Sequence, residues 1–339
     1  MFKEFVRRRR TSCGWIPSKR GLGLLGTALA SLTINSACST MHTPPPELAA
    51  RIREVGPVVD ARGMAALYKP LQEREPYVGI HVTRDLSYGP DPQNLADVFT
   101  PSDRGLGKKR PVLLFVHGGG FTAGERRLGP DSPFYDNVGV WAVRHGFIGI
   151  NMTYRRAPRA QWPAGPEDIG RAVDWVGRTI ADQGGDAKRI FILGHSAGAT
   201  HVAGYISHPQ FHGESTIKGA IIVSGSFEVT PTASVIPEEA TLVQHEKSYF
   251  GEDPSLDSEQ SSTAGLVSTP IPLLFVNAEY DPPFFKRHAA ALRTEFQRAH
   301  RQDRFIVLPV ENHMSQIFSI NTPDEGLSRA VEEFTRGLR

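Results

Sequence analysis

The chain has 339 residues, 40% hydrophobic and 22% charged, which supplies a sizeable core and excludes wholesale disorder. At roughly 100–200 residues per domain, that length fits one large domain or two modest ones. The formal charge of +2 hides an asymmetry: residues 1–40 hold seven Lys and Arg against Glu4 alone, so the remainder is mildly acidic at −4 and carries no nucleic-acid footprint. Both cysteines, Cys13 and Cys38, also precede residue 41. The body therefore has no disulfide, no catalytic thiol and no cysteine-held zinc.

Residues 3–20 are basic, residues 21–37 are mostly apolar or small, and Ser36-Ala37-Cys38-Ser39 follows. That order predicts an export signal over residues 1–40, since the apolar part is too short to span a bilayer. The alternatives are an uncleaved N-terminal anchor or a misassigned start codon. The segment resembles a bacterial lipoprotein signal, which implies lipidation of Cys38 and a membrane tether; Asn35 stands where that pattern has leucine. Gly21-Leu22-Gly23-Leu24-Leu25-Gly26 matches the dinucleotide fingerprint only formally, because it follows a basic tract instead of a strand. Residues 41–79 read as a spacer, stiffened by Pro44-Pro45-Pro46, and an N-terminal helical segment expected to cover the site. Beyond residue 40 no run of about 20 apolar residues occurs, so the body is not polytopic.

The catalytic domain is expected over residues 80–339. Segments 80–88 and 95–99 predict two short strands in an antiparallel start, joined by the turn Gly89-Pro90-Asp91-Pro92. Residues 111–116 form a continuous apolar run, the pattern of a strand buried on both faces. A helix over 133–144 carries Phe134, Val138, Trp141 and Ala142 at helical spacing, and 147–152 is the next strand. A second helix, 166–181, puts Ile169, Ala172, Val173, Val176 and Ile180 on one face. Further strands are predicted at 189–193, 217–223, 273–276 and 305–308, with helices near 197–206, 284–299 and 324–336. The polar stretch 229–266 reads as an insertion that walls the substrate pocket, anchored by the aromatics of Lys247-Ser248-Tyr249-Phe250. Such alternation gives an α/β class: a mostly parallel central sheet with helices on both faces. In sheets of this kind reacting groups gather at the carboxyl ends of the strands.

Gly194-His195-Ser196-Ala197-Gly198 follows the 189–193 strand. Small residues are needed where a strand turns sharply into a helix and lifts the middle hydroxyl clear of the sheet, so Ser196 is the candidate nucleophile. The same turn aims the Ala197 N–H at charge forming in front of it. His117-Gly118-Gly119-Gly120-Phe121 follows the 111–116 strand, and its free amides, with that of Ala197, can form an oxyanion hole. A phosphate cradle would require a lysine that is absent. A serine needs a base and the base an orienting acid. His313 and Asp281 lie at the ends of the last two strands, in the chain order Ser, Asp, His. Glu279 and Asp303 are rival acids, less well placed. His195, His201, His208 and His212 lack the carboxylate partners and spacing of a metal site, and Pro209 breaks any helix through the last pair, so no metal is expected.

His117-Gly118-Gly119-Gly120, the Ser196 pentapeptide, Asp281 and His313 together resemble the α/β-hydrolases of the hormone-sensitive-lipase and carboxylesterase type. So do Tyr154-Arg155-Arg156-Ala157-Pro158, Trp162-Pro163-Ala164, Glu167-Asp168 and Gly184-Gly185-Asp186. The resemblance spans roughly residues 80–335 and implies the α/β-hydrolase fold. It further implies oxyanion donors at Gly119, Gly120 and Ala197, a turn shaped by Gly118 and a scaffold role for His117. Tyr154, Arg155 and Asp168 read as structural. The expected protein is an exported serine carboxylic-ester hydrolase, periplasmic, outer-membrane-tethered or secreted. It would act through an acyl-enzyme on small-molecule esters with short-to-medium acyl groups, without metal or organic cofactor. The competing readings are an amidase or arylformamidase using the same triad, and a non-catalytic binding protein that keeps the hydrolase shell. A processing peptidase would want a gating domain that the chain does not obviously contain.

Overall fold

A computed structural model describes residues 43–103, 109–229 and 239–338. The segment expected to be an export signal, 1–40, with Cys38 and the glycine-rich 21–26, lies outside the described residues. Among those residues eight strands form one sheet: β1 Ile80–Ser87, β2 Leu95–Pro101, β3 Arg110–Val116, β4 Ile148–Met152, β5 Gly185–His195, β6 Gly219–Val223, β7 Leu273–Tyr280 and β8 Arg304–Asn312. Their order is β1-β2-β4-β3-β5-β6-β7-β8. The β1–β2 and β2–β4 pairs are antiparallel, and every other pair is parallel.

The apolar runs make the central strands because alternate side chains point to opposite faces and both faces are covered. Val112, Leu114, Ile192, Ile222 and Phe275 share one buried layer with Val173 and Val202, from helices Ala164–Thr179 and Ala197–Ser207. Leu113, Phe115, Leu193, Ile221 and Val276 share the other with Trp141 and Val331, from helices Asp136–Arg144 and Gly326–Arg336. The first of these latter helices begins at Asp136 rather than at the expected residue 133. Residues before it are held in a turn, with Leu128 N donating to Phe134 O at 2.6 Å.

Two strands run further than their apolar segments. β7 continues through Asn277 and Glu279 to Tyr280, and β8 continues to Asn312. Their pairing shifts register between Ala278 and Tyr280, and Tyr280 then faces Asn312. This irregularity sets the next residues, Asp281 and His313, side by side at the carboxyl end of the sheet.

The N-terminal helices Pro46–Val55 and Ala61–Tyr68 pack against β8 and the residues that follow it, with Asn312 Nδ2 3.4 Å from Met64 Sδ. Ile52, Met64 and Tyr68 are buried in the second apolar layer with Phe115 and Leu193. Tyr68 Oη donates to Asp324 Oδ2 at 2.7 Å, and Gln72 Nε2 donates to the Phe318 and Ile320 carbonyls. No helix among the described residues is long and apolar enough to cross a membrane.

Beneath the His313 turn, Glu311 and Asp324 are both buried, and Ser315 Oγ donates to Glu311 Oε2. Burial, then repulsion from Asp324, pushes the Glu311 carboxyl well above its ordinary range. The folded chain thus keeps a proton that the unfolded chain releases. The associated stability is full below the unfolded carboxyl pKa, about 4.3, and is lost as pH rises toward the folded value. Glu311→Gln should therefore match the parent in urea midpoint near pH 5 and exceed it at pH 8. Equal losses in the two proteins over that interval would disprove the assignment.

Candidate active site

Ser196 sits between β5 and helix Ala197–Ser207 with φ 55° and ψ −125°, a backbone region that L residues rarely occupy. Its N–H donates to Val223 O at 2.9 Å, and its carbonyl accepts from the Ala199 and Thr200 amides at 2.9 and 3.1 Å. The flanking glycines are steric requirements. A Cβ on Gly194 would fall 2.6 Å from Gly198 O, and one on Gly198 would fall 2.2 Å from Val116 O. The elbow expected from G-x-S-x-G is therefore forced by packing between β3, β5 and the helix.

The glycine loop after β3 lies against this turn. A Cβ on Gly118 would come within 2.9 Å of Ser196 Cβ. Gly119 and Gly120 have φ of 134° and 57°, and Cβ atoms there would strike Ala123 O at 2.1 Å and His245 Nδ1 at 2.3 Å. The loop is closed by Ala123 N donating to Gly119 O and Thr122 N to Gly120 O. Among the described residues the amides of Gly119, Gly120 and Ala197 donate to no protein acceptor. His117 is fully buried, donates from Nδ1 to Gly118 O at 2.6 Å and stacks on Tyr154, whose hydroxyl donates to His117 O at 2.9 Å. Burial pushes the His117 imidazole down to about 4, so it is a neutral strut of the loop.

At the other end, His313 Nδ1 donates to Asp281 Oδ1 at 2.9 Å, with both residues buried. Asp281 Oδ2 accepts from Ser224 Oγ at 2.6 Å, Ala278 N at 2.8 Å and Asn277 Nδ2 at 3.0 Å. Burial alone would raise this carboxyl. The bond and charge of His313, with the donors Ser224 and Ala278, outweigh it and hold Asp281 below its ordinary value. The rival acids are engaged elsewhere: Glu279 accepts from Val310 N at 2.7 Å, and Asp303 pairs with Arg301.

His313 stacks on Phe285 at 4.4 Å, and its carbonyl accepts from His195 Nε2 at 2.8 Å and Gln316 Nε2 at 3.2 Å. Gln316 Nε2 also donates to Ser224 Oγ at 2.7 Å. Ser196 Oγ makes no hydrogen bond among the described residues. Ser196 and His313 are linked through His195, whose ring lies 4.9 Å from that of His313.

A cleft of ≈ 270 Å³, its open mouth included, starts at Ser196 and is walled by Phe121, Leu242, His245, Phe284 and Phe285. Leu242 and His245 belong to helix Ala240–Phe250, inside the segment expected to wall the pocket. Tyr249 and Phe250 pin that helix to Phe121, at ring distances of 4.9 and 5.9 Å. No residue of 46–79 lines the cleft. The remaining histidines have other work: His208 Nε2 donates to Glu259 O, His212 Nε2 donates to Tyr205 O, and His201 is wedged among Phe121, Tyr154 and Tyr249. Sequence reasoning missed Ser224, Asn277 and Gln316. The signal available for Ser224 was its place at the carboxyl end of a buried strand.

The carboxylesterase family model matches residues 95–246. The chain is 31% identical over 219 residues to Esterase LipQ of Mycobacterium tuberculosis, covering 61% of this chain and 48% of that protein. It is 28% identical over 207 residues to the acylcarnitine hydrolase of Mus musculus, covering 58% and 36%. The chain thus spans less than half the length of these curated relatives. Among solved structures, Esterase B from Lactobacillus rhamnosis superposes with a TM-score of 0.67 at 17% identity, over 86% of this chain and 95% of that one. A bacterial heroin esterase superposes with 0.64 at 21% identity, over 88% and 98%. The fold is that of the α/β-hydrolases.

Asp281's depressed pKa contributes stability that is present above the unfolded carboxyl value and lost as pH falls through the folded one. Ser224→Ala removes one donor to the buried anion, an interaction of about 1.5–3 kcal/mol. Acid unfolding followed by circular dichroism should shift to higher pH in this variant. An unshifted midpoint would mean that the hydroxyl does not support the carboxylate.

Proposed function

We propose that this chain, an α/β-hydrolase of the carboxylesterase type, hydrolyses carboxylic esters through an acyl-enzyme on Ser196. The observation that carries the reading is the buried His313–Asp281 bond, set beside a serine in a strained turn and facing unbonded backbone amides. Ser196 Oγ attacks the ester carbonyl while His313 Nε2 takes its proton, and Asp281 fixes the Nδ1–H tautomer and stabilises the cation that forms. The amides of Gly119, Gly120 and Ala197 receive the oxyanion without first breaking a protein hydrogen bond. His313 then protonates the leaving alcohol, and water repeats the cycle on the acyl group.

The cleft at Ser196, closed in by the rings of Phe121, Phe284 and Phe285 and by Leu242 and His245, favours short acyl groups. The charge layout of residues 1–40 supports export, with Cys38 as the candidate point of lipid attachment and membrane tethering. A panel of p-nitrophenyl esters should show turnover that is highest for acetate and butyrate. Ser196→Ala should lower it by more than about 10³-fold. Turnover of N-formyl or anilide substrates without ester cleavage would overturn the ester reading in favour of an amidase. An unreactive Ser196 toward a fluorophosphonate probe would favour a non-catalytic protein.

A further inference from the structure

His195 is buried, so its presence beside the nucleophile needs a reason. The His313 carbonyl can only accept, so the 2.8 Å contact makes His195 Nε2 the donor and leaves Nδ1 without a proton. Nδ1 then has no hydrogen-bond partner among the described residues. A buried acceptor left in this way is destabilising, and a phenyl ring of similar volume would avoid the cost. Nδ1 also faces the oxyanion loop, since a Cβ on Gly118 would lie 3.2 Å from it. Burial and the neighbouring His313 push the His195 imidazole down to about 3, so it is neutral when the His313 cation forms.

We propose that His195 is a positioning residue for the base: its Nε2–H anchors the His313 carbonyl, so the turn that presents Ser196 also sets the position of the imidazole. Residues 195 and 196 are consecutive, and displacement of the elbow carries both ends of the proton-transfer path together. The Gln316 bond to the same carbonyl ties this anchor to Ser224 and hence to Asp281. His195 acts through the His313 carbonyl. The proposal rests on the ester-hydrolase reading for its kinetic consequence, but not for its geometry.

The test compares His195→Phe, which keeps ring volume and loses the donor, with His195→Gln, which keeps an N–H donor. For a short p-nitrophenyl ester, His195→Phe should lose about 10²-fold in kcat with KM little changed, the size expected for a misplacement near 1 Å. His195→Gln should recover most of that loss. Tolerance of Phe with failure of Gln, or equal loss in both, overturns the proposal and leaves His195 a packing residue. Histidine-selective ¹⁵N NMR on the unsubstituted chain needs no turnover and no variant. It should find His195 as the neutral Nε2–H tautomer at pH 5, and an Nδ1–H tautomer or a cation there would equally overturn the proposal. If the parent cleaves no ester while the tautomer is as stated, the ester reading fails and the anchor stands.

Discussion

The backbone at Ser196 is the constraint on which the site depends. A non-glycine residue at φ 55° and ψ −125° costs on the order of 1–3 kcal/mol and persists only where its surroundings leave no alternative. Here β5 lies between β3 and β6, with its last six residues buried, so the strand cannot shift to relax the turn. Gly194 and Gly198 let the helix return against β3 at distances no Cβ would permit. The Val223 carbonyl holds the Ser196 amide from the other side. Strain at one residue is thereby balanced by packing across three strands, and the hydroxyl is presented without a flexible support.

That geometry shapes the electrostatics around it. The glycine loop can approach Ser196 closely because Gly118 has no side chain, and its amides stay unbonded because the loop closes through its carbonyls instead. Donors fixed in this way need little rearrangement when charge forms. Asp281 shows the complementary arrangement. Its charge is buried, which would normally favour protonation, yet both oxygens are occupied by donors. One oxygen is reserved for the imidazole and the other is held by the scaffold, so the carboxylate has one orientation to offer.

What could be read from the sequence divides along the same physical lines. The cores of the strands were legible because a parallel strand covered on both faces is a continuous apolar run. Their ends were not: in β7, Asn277 occupies a ladder position and Glu279 the register shift although both are polar, since Asn277 binds Asp281 and Glu279 receives the Val310 amide. Ser196 was legible because its steric demands are local and leave a mark on four neighbours. Asp281 was chosen over Glu279 by placement, and the register shift that seats it beside His313 had no sequence signal. The packing partners of the N-terminal helices were not legible, because amphipathic periodicity states that a face is buried but not against what. Ser224, Asn277 and Gln316 converge from separate elements, and nothing in their spacing announces a shared partner.

The wall of the cleft is built differently from its floor. Ser196, Asp281, His313 and the glycine loop all hang from the carboxyl ends of β3, β5, β7 and β8, and the sheet fixes their separations. Helix Ala240–Phe250 belongs instead to the connection between β6 and β7. It is attached by aromatic packing of Tyr249 and Phe250 on Phe121, by the Tyr249 hydroxyl accepting from Gly165 N, and by the flanking Glu239–Arg287 ion pair. Leu242 and His245 can therefore change without disturbing a ladder hydrogen bond. Two contacts join the two parts: Phe121 ends the glycine loop and stacks on the wall helix, and His245 of that helix packs against Gly120. A shift of that helix would reach the amides of Gly119 and Gly120 through these contacts, just as Phe285 carries the wall to His313 by stacking on its ring.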